Sequence, residues 1–249
     1  MTFSLIAREP ETGHLGVAVA SRFFAVGATI PFITPFGAIA SQALVNPVWG
    51  VEGGKLLAAG DFPETVLKTL KSKDSGHPQR QVHLMTADGQ SAGFTGSECI
   101  DWAGHKTAEN ISVAGNMLAG ERVLEDMLSC YLDTKSVPFA ERLLLAMEAG
   151  EAAGGDKRGR QSASLTIHRG EAFPWLDLRC DDDAEPLIEI RRLLDVAGER
   201  YIHFTEMMGS SANFSGHADR RRIEALIKAG EEARKAENKP SASRQFERP

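Results

Sequence analysis

Residues 2–22 read TFSLIAREPETGHLGVAVASR, and this stretch decides the fold. Residues 3–7 alternate in the way of a β-strand, and residues 15–20 form a second short apolar run. The segment between them, residues 9–13, contains Pro and Gly, which favour turns. Two such runs joined by a turn predict an antiparallel β-hairpin.

Downstream of this hairpin, pairs of helices are interspersed with further strands. The helical pattern predicts helices at residues 53–59, 63–72, 121–132 and 139–149. Strands are predicted at residues 81–86, 91–95, 111–114, 162–167 and 175–178. Because these elements do not follow strict βαβ alternation, the sequence favours an α+β architecture in which helices cover antiparallel sheets.

Residues 23–51 carry no formal charge, which raises the question of a membrane span. The stretch contains Pro31, Pro35 and Pro47, which a continuous apolar helix does not accommodate, and no Lys/Arg concentration flanks it. We therefore predict no membrane association and two short buried strands, at residues 28–33 and 37–41.

Composition excludes several other classes of protein. The 249 residues carry a net charge of −6, whereas nucleic-acid-binding proteins usually show a basic excess. Three distant cysteines favour neither a disulfide scaffold nor a zinc ribbon, and they fit a reducing, cytoplasmic location. Seven histidines without HxH or HExxH spacing predict no metal site, and no phosphate-binding motif indicates a cofactor.

The C-terminal part of the chain is denser in charge than the rest. Helical spacing of apolar residues in 185–204 and 218–236 predicts accessory helices within residues 183–237, after a main domain at residues 1–182. Residues 238–249 are polar and contain Pro, which predicts a disordered tail. We expect the helical segment to mediate homo-oligomerisation.

Thr2 is the main candidate for chemistry. Removal of Met1 would expose its α-amino group, whose pKa is about 7.7–8.0 and which can accept the proton of the threonine hydroxyl. Threonine could then act as a nucleophile without a histidine. The alternative is that Thr2 simply opens the first strand, where threonine is favoured.

The chain resembles a bacterial and archaeal family known as domain-of-unknown-function family 1028. The resemblance covers nearly all of residues 2–180 and is carried by TFSLIAR at 2–8, GVAVASRFFAVG at 16–27, SQA at 41–43 with the following Asn46-Pro47, FTG at 94–96, WAGH at 102–105, GNML at 115–118 and GGDKRGRQS at 154–162. It implies a four-layer αββα sandwich similar to that of the N-terminal-nucleophile (Ntn) hydrolases. The family's activity is not established.

The comparison with Ntn hydrolases extends to the start of the chain. Proteasome-type β subunits likewise begin with Thr on a first strand and end the second strand in a Ser-Arg-like segment, here Ser21-Arg22. Those subunits also carry a lysine beside the nucleophile. No Lys or Arg occurs in residues 23–51, so another group would have to activate Thr2.

Several residues are candidates for substrate binding. Arg158 and Arg160, together with Arg22, could present guanidinium groups to a substrate carboxylate, and Asp156 could orient one of them. The alternative is a mobile connection with solvated charges.

Three uncharged residues and a backbone amide complete the candidates. Gly115 and Asn116 could form an oxyanion hole, or Asn116 could cap the next helix. Gln42 and Asn46 could bind a substrate amide or satisfy buried backbone groups.

Two functions follow from these observations. The first is an amidohydrolase or peptidase that uses Thr2 on a small polar amide or peptide. The second is a non-catalytic ligand-binding or scaffold protein that retains the fold.

Overall fold

The computed structural model describes residues 2–205, 207–216 and 219–237. The chain divides into two compact units between Arg191 and Arg192. No disulfide joins the three cysteines, all of which are free.

Two antiparallel sheets form the first unit. The six-stranded sheet has the order β10-β9-β2-β1-β8-β7, and the four-stranded sheet has the order β3-β4-β5-β6. The strands are β1 (Thr2–Arg8), β2 (Leu15–Ser21), β3 (Pro31–Thr34), β4 (Gly37–Ala43), β5 (Arg80–Thr86), β6 (Ser91–Thr95), β7 (Gly104–Ala108), β8 (Ile111–Asn116), β9 (Ser162–His168) and β10 (Leu176–Cys180).

Helices cover the outer faces of both sheets. The described helices are α1 (Pro47–Ala58), α2 (Pro63–Lys73), α3 (Arg122–Asp133), α4 (Phe139–Ala152), α5 (Pro186–Val196), α6 (Ile202–Thr205) and α7 (Arg220–Glu237). Helices α1 and α2 pack on the four-stranded sheet, and α3 and α4 pack on the six-stranded sheet. The resulting four-layer αββα sandwich confirms the predicted fold class.

Successive side chains of β1 point alternately to the layer between the sheets and to the helices on the outer face. Ile6 packs between the sheets with Val17 and Val19 of β2 and Ala38 and Ala40 of β4. Because successive side chains point to opposite faces, Thr2 and Ser4 share this inner face, whereas Phe3 and Leu5 face the α3–α4 layer. Strand β1 is therefore buried on both faces, and its first residue lies between the two sheets.

A glycine allows close packing on the outer face of the six-stranded sheet. A Cβ atom at Gly16 would lie 2.4 Å from Leu143 and 3.1 Å from Phe139 of α4. The absence of a side chain lets α4 rest directly on β2, which holds the central β1–β2 hairpin in place.

The structure of the charge-free stretch, residues 23–51, differs from the prediction in the start of its first strand and in the burial of that strand. A short 3₁₀ turn, Val26–Ala28, precedes β3, which begins at Pro31 rather than at residue 28. Strand β3 is an edge strand and only half-buried, while β4 is covered on both sides and fully buried up to Gln42. None of the described helices is both long and apolar enough to cross a membrane.

Helix α1 begins six positions earlier than the sequence analysis predicted. Asn46 is its N-cap, since the side-chain oxygen accepts a hydrogen bond from the Val48 N–H at 3.1 Å, and Pro47 occupies the first turn. Asparagine followed by proline is a signal for the start of a helix, and apolar periodicity alone does not include it.

The second unit is helical, in agreement with the predicted C-terminal helical segment. A π-helical turn, Ala197–Tyr201, separates α5 from α6. The predicted start of the last helix at Ala218 and the predicted disordered tail at residues 238–249 lie outside the described residues. Self-association through this segment stays a prediction.

Candidate active site

Thr2 begins β1 and is buried between the ends of the two neighbouring strands, β2 and β8. Its hydroxyl donates a hydrogen bond to the Ser21 Oγ atom of β2 at 3.2 Å. On the other side it stands opposite Asn116 in the β1–β8 ladder, at a Cα separation typical of antiparallel pairs, about 4.5–5.5 Å. Thr2 thus has a hydroxyl on one side and an amide side chain on the other.

A cleft of about 370 Å³ opens next to Asn116. Four segments supply its walls: the end of β4, the turn before β5, the loop after β6 and the end of β8. The lining residues are Ala43, Leu44, Gln79, Glu98, Cys99, Ile100, Asn116 and Met117. This volume is in the range that holds a small ligand.

Next to Thr2, a group of buried polar side chains fills the space between the sheets. All are uncharged, and we refer to them as the neutral network. Its members are Ser4, Gln42, Gln81, His83, Ser112 and Asn116.

Gln81 is the centre of the neutral network. Its Oε1 atom accepts hydrogen bonds from Gln42 Nε2 at 2.8 Å and from Asn116 Nδ2 at 3.0 Å. Its Nε2 atom lies 2.8 Å from the Gly115 carbonyl oxygen and 3.0 Å from that of Gly104. Both ends of the Gln81 amide are therefore saturated, which fixes its orientation and that of Asn116.

His83 is neutral in this environment. The Ser4 hydroxyl donates to Gln42 Oε1 at 2.7 Å, so the 2.9 Å contact between Ser4 Oγ and His83 Nε2 requires the imidazole to donate. His83 Nδ1 then accepts from the Ser112 hydroxyl at 2.9 Å. Burial, and secondarily the charge of His105, lowers the pKa of His83 to about 3.

A second group lies on the β2 side of Thr2. Arg22, Asp156 and Arg158 form what we call the arginine cluster. The Asp156 carboxylate accepts hydrogen bonds at 2.8 Å from the backbone N–H groups of Arg22 and Arg158. It also pairs with the Arg158 guanidinium at 3.2 Å, while the Arg22 guanidinium donates to the Arg158 carbonyl oxygen at 2.6 Å.

Asp156 is also anchored to the strand that carries Asn116. An isolated β-bridge joins Asp156 to Leu118, two residues beyond Asn116. The Ala119 N–H donates to the Gly155 carbonyl at 3.1 Å. The loop of residues 154–162 is therefore fixed beside the site, and Asp156 is buried there.

Two predicted binding residues lie elsewhere. Arg160 pairs with Glu151 at 2.6 Å and with Glu185, away from Thr2. Asn46 caps α1 and donates to Asp74 at 3.1 Å. Of the two open alternatives for Asn46, its contacts match the satisfaction of backbone groups.

The alternative role of Asn116 as a helix cap is wrong, because the N-cap of α3 is Glu121. Gly115 is an interior residue of β8, opposite Phe3 and Gly104, and its carbonyl accepts from Gln81. Asn116 rather than Gly115 therefore presents a side-chain donor at the cleft.

Sequence reasoning missed Ser4, Ser21, Gln81 and Ser112, and it treated His83 as one scattered histidine. One signal was present: Gln81 and His83 alternate with Val82 and Leu84, so that two polar side chains share one face of an apolar strand. Within the described ranges, no group of three or more His, Cys, Asp or Glu residues is arranged to hold a metal ion.

Comparison with known protein families and solved structures shows what the sequence and fold of this chain are similar to. Residues 2–190 match the model of a family described as a family of unknown function, DUF1028. The chain belongs to this family. Protein SPO2555 from Silicibacter pomeroyi, whose crystal structure carries the same family model, is 32% identical over 88% of this chain and 96% of its own, with a TM-score of 0.82. The resemblance drawn from the sequence motifs is thus confirmed.

More distant similarities concern the ancestral β-subunit Anbu. Anbu from Yersinia bercovieri is 11% identical over 84% of this chain and 99% of its own, with a TM-score of 0.39. Anbu from Hyphomicrobium sp. strain MC1 is 10% identical over 98% of this chain and 100% of its own, with a TM-score of 0.32. No curated protein matches the chain.

Proposed function

We propose that this protein is an amidohydrolase or peptidase in which Thr2, freed by removal of Met1, attacks the carbonyl carbon of a small amide or peptide. The observation that carries the proposal is the position of Thr2. Thr2 is buried at the start of β1 and pairs in the ladder with Asn116, which lines a ligand-sized cleft.

The proposed reaction has two steps. First, the Thr2 Oγ1 atom bonds to the amide carbonyl carbon while its proton passes to the Thr2 α-amine; the amine then protonates the departing nitrogen as the C–N bond breaks. Second, a water molecule attacks the ester so formed, gives its proton to the same amine, and releases the carboxylic acid as Thr2 recovers its hydroxyl proton.

Asn116 is the proposed oxyanion donor. One hydrogen of its Nδ2 group is directed at Gln81 Oε1, which leaves the second for a carbonyl oxygen in the cleft. Gln81 holds Asn116 in place before substrate arrives. Such preorganisation costs no rearrangement during the reaction.

The arginine cluster is the proposed anchor for a carboxylate. Arg22 and Arg158 outnumber Asp156, which leaves one positive charge adjacent to Ser21. Ser21 in turn bonds Thr2. In the proposed reaction this charge favours the neutral form of the Thr2 α-amine, in place of the lysine that proteasome-type subunits carry beside the nucleophile.

Variants of Thr2 test the proposal. Hydrolysis of a library of acyl-amides and short peptides is measured for the wild type, Thr2→Ala, Thr2→Ser and the hairpin-turn control Thr12→Ala. We expect Thr2→Ala to lose at least a hundredfold in rate, Thr2→Ser to retain part of it, and Thr12→Ala to match the wild type. Equal rates for wild type and Thr2→Ala would overturn the proposal.

The second candidate is a non-catalytic ligand-binding protein, and one observation favours it. No described Lys or Arg side chain is hydrogen-bonded to Thr2, and the threonine hydroxyl is directed at Ser21. In this case Thr2→Ala binds ligands as the wild type does, and neither protein hydrolyses any member of the library.

A further inference from the structure

The cleft next to Asn116 carries a charge opposite to the one that the sequence candidates provide. Among the described residues that line it, Glu98 is the only one with a formal charge. The other ionisable group there is the thiol of Cys99, whose pKa burial raises, so that it stays uncharged. The arginines predicted to bind substrate do not line this cleft.

No cationic side chain in the described part of the chain forms an ion pair with Glu98. Its Oε2 atom accepts a hydrogen bond from Gln79 Nε2 at 2.9 Å, and across the described residues no Lys, Arg or His lies within ion-pair distance of it. Arg80, next to Gln79 in the chain, instead pairs with Asp74 at 3.1 Å and donates to the Leu44 carbonyl at 2.6 Å. The Glu98 carboxylate therefore keeps an acceptor oxygen for an external donor.

The same cleft exposes apolar surface. Leu44 is 57% exposed and Ile100 is 60% exposed, and both line the cleft. Side chains of this size are usually buried, and here they stand beside the carboxylate. A ligand that fits the cleft combines a cationic group with an apolar flank.

We infer that the cleft binds the cationic end of an amide substrate, with Glu98 as the counter-charge and with Leu44 and Ile100 packed against the adjoining apolar part. The inference rests on the proposed function for the location of the scissile bond, because Asn116 belongs both to the cleft and to the Thr2 site. The substrate class is a short peptide or amide that carries an ammonium or guanidinium group on the cleft side.

Binding measurements on Thr2→Ala test the inference without turnover. Three N-acetylated tripeptides serve as probes, Ala-Lys-Ala, Ala-Met-Ala and Ala-Glu-Ala, and their affinities are measured by calorimetry. We expect the lysine probe to bind best and the glutamate probe worst. Glu98→Gln in the same background should weaken binding of the lysine probe about three- to fivefold and leave the methionine probe unchanged.

Glu109→Gln is the matched control, since Glu109 is an exposed carboxylate in the turn between β7 and β8, outside the cleft. It should not change any of the affinities. The preference for the lysine probe should also shrink as salt is added, because exposed charges are screened.

Two outcomes separate this inference from the proposed function. If wild-type protein hydrolyses none of the probes but the charge preference in binding persists, the proposed function fails and the cleft assignment stands. If hydrolysis depends on Thr2 but the lysine and glutamate probes bind equally, or Glu98→Gln changes nothing, the cleft assignment is overturned. Absence of binding by all three probes also overturns it.

Discussion

The neutral network and the arginine cluster flank the same threonine and are built in opposite ways. In the network, Gln42, Gln81 and Asn116 saturate one another with uncharged hydrogen bonds, deep between the sheets. In the cluster, one buried carboxylate, Asp156, holds two arginine backbones and a half-exposed guanidinium near solvent.

Because the neutral network is uncharged and the arginine cluster is charged, we expect the two regions to have different roles. Saturated amides fix positions without bringing charge into a low-dielectric interior, where an unpaired charge costs several kcal/mol. The cluster places charge at the rim, where solvent reduces that cost. On this account the network orients Asn116 and the cluster sets the electrostatic potential at Thr2.

Gln81→Leu should have the largest effect on stability. It leaves the amide hydrogens of Gln42 and Asn116 without an acceptor and the carbonyls of Gly104 and Gly115 without their donor. We expect the free energy of unfolding to fall by about 4 kcal/mol, measured by urea denaturation. Gln90→Leu, at an exposed hairpin position, should change it by less than about 0.5 kcal/mol.

Asp156→Ala should come next. It removes the acceptor of the Arg22 and Arg158 N–H groups and the partner of one guanidinium, and we expect a loss of about 3 kcal/mol. Asp156→Asn keeps one acceptor oxygen and should lose about half as much. If Asp156→Asn were as stable as the wild type, the carboxylate charge would have no part in ordering the loop.

Protonation at His83 should have no effect on stability at neutral pH and an effect that grows as the pH falls. Its pKa is lowered to about 3 in the folded state, so the unfolded chain binds the proton more readily. The contribution is therefore complete above pH 6.5 and is lost as the pH falls from 6.5 towards 3, at up to about 1.4 kcal/mol per pH unit.

His14, His105 and His168 also have lowered pKa values, so the comparison must be made against a variant rather than read from the wild type alone. His83→Gln removes one titrating group and keeps hydrogen-bonding capacity. The wild type should lose stability more steeply than His83→Gln between pH 6.5 and pH 4 in thermal denaturation. Parallel curves would mean that His83 is not held neutral.

Local patterns were sufficient to predict most of the fold. The β1–β2 hairpin, the helix pair α3–α4 and strand β6 follow from apolar spacing and turn residues within a few positions of one another. Strand β7 was missed because its sequence, GHKTA, is polar; it lies at the edge of the sheet, where alternate side chains face solvent.

The site was only partly predictable. Thr2, Asn116 and Asp156 were proposed from the sequence because they belong to recognisable motifs. The contacts of the neutral network were not predicted, because Ser4, Gln42 and Gln81 come together only when two sheets pack face to face. The charge of the cleft was missed for the same reason, since Glu98 reaches Asn116 through the packing of loops that are far apart in sequence.

The central claim is that Thr2 acts as an N-terminal nucleophile. Mass spectrometry of the intact native protein, followed by N-terminal peptide mapping after treatment with a β-lactone electrophile, tests it most directly. The account predicts a mass lower by one methionine residue and a single adduct on the peptide that begins with Thr2, absent in Thr2→Ala. Complete retention of Met1, or an adduct that persists in Thr2→Ala, would contradict it.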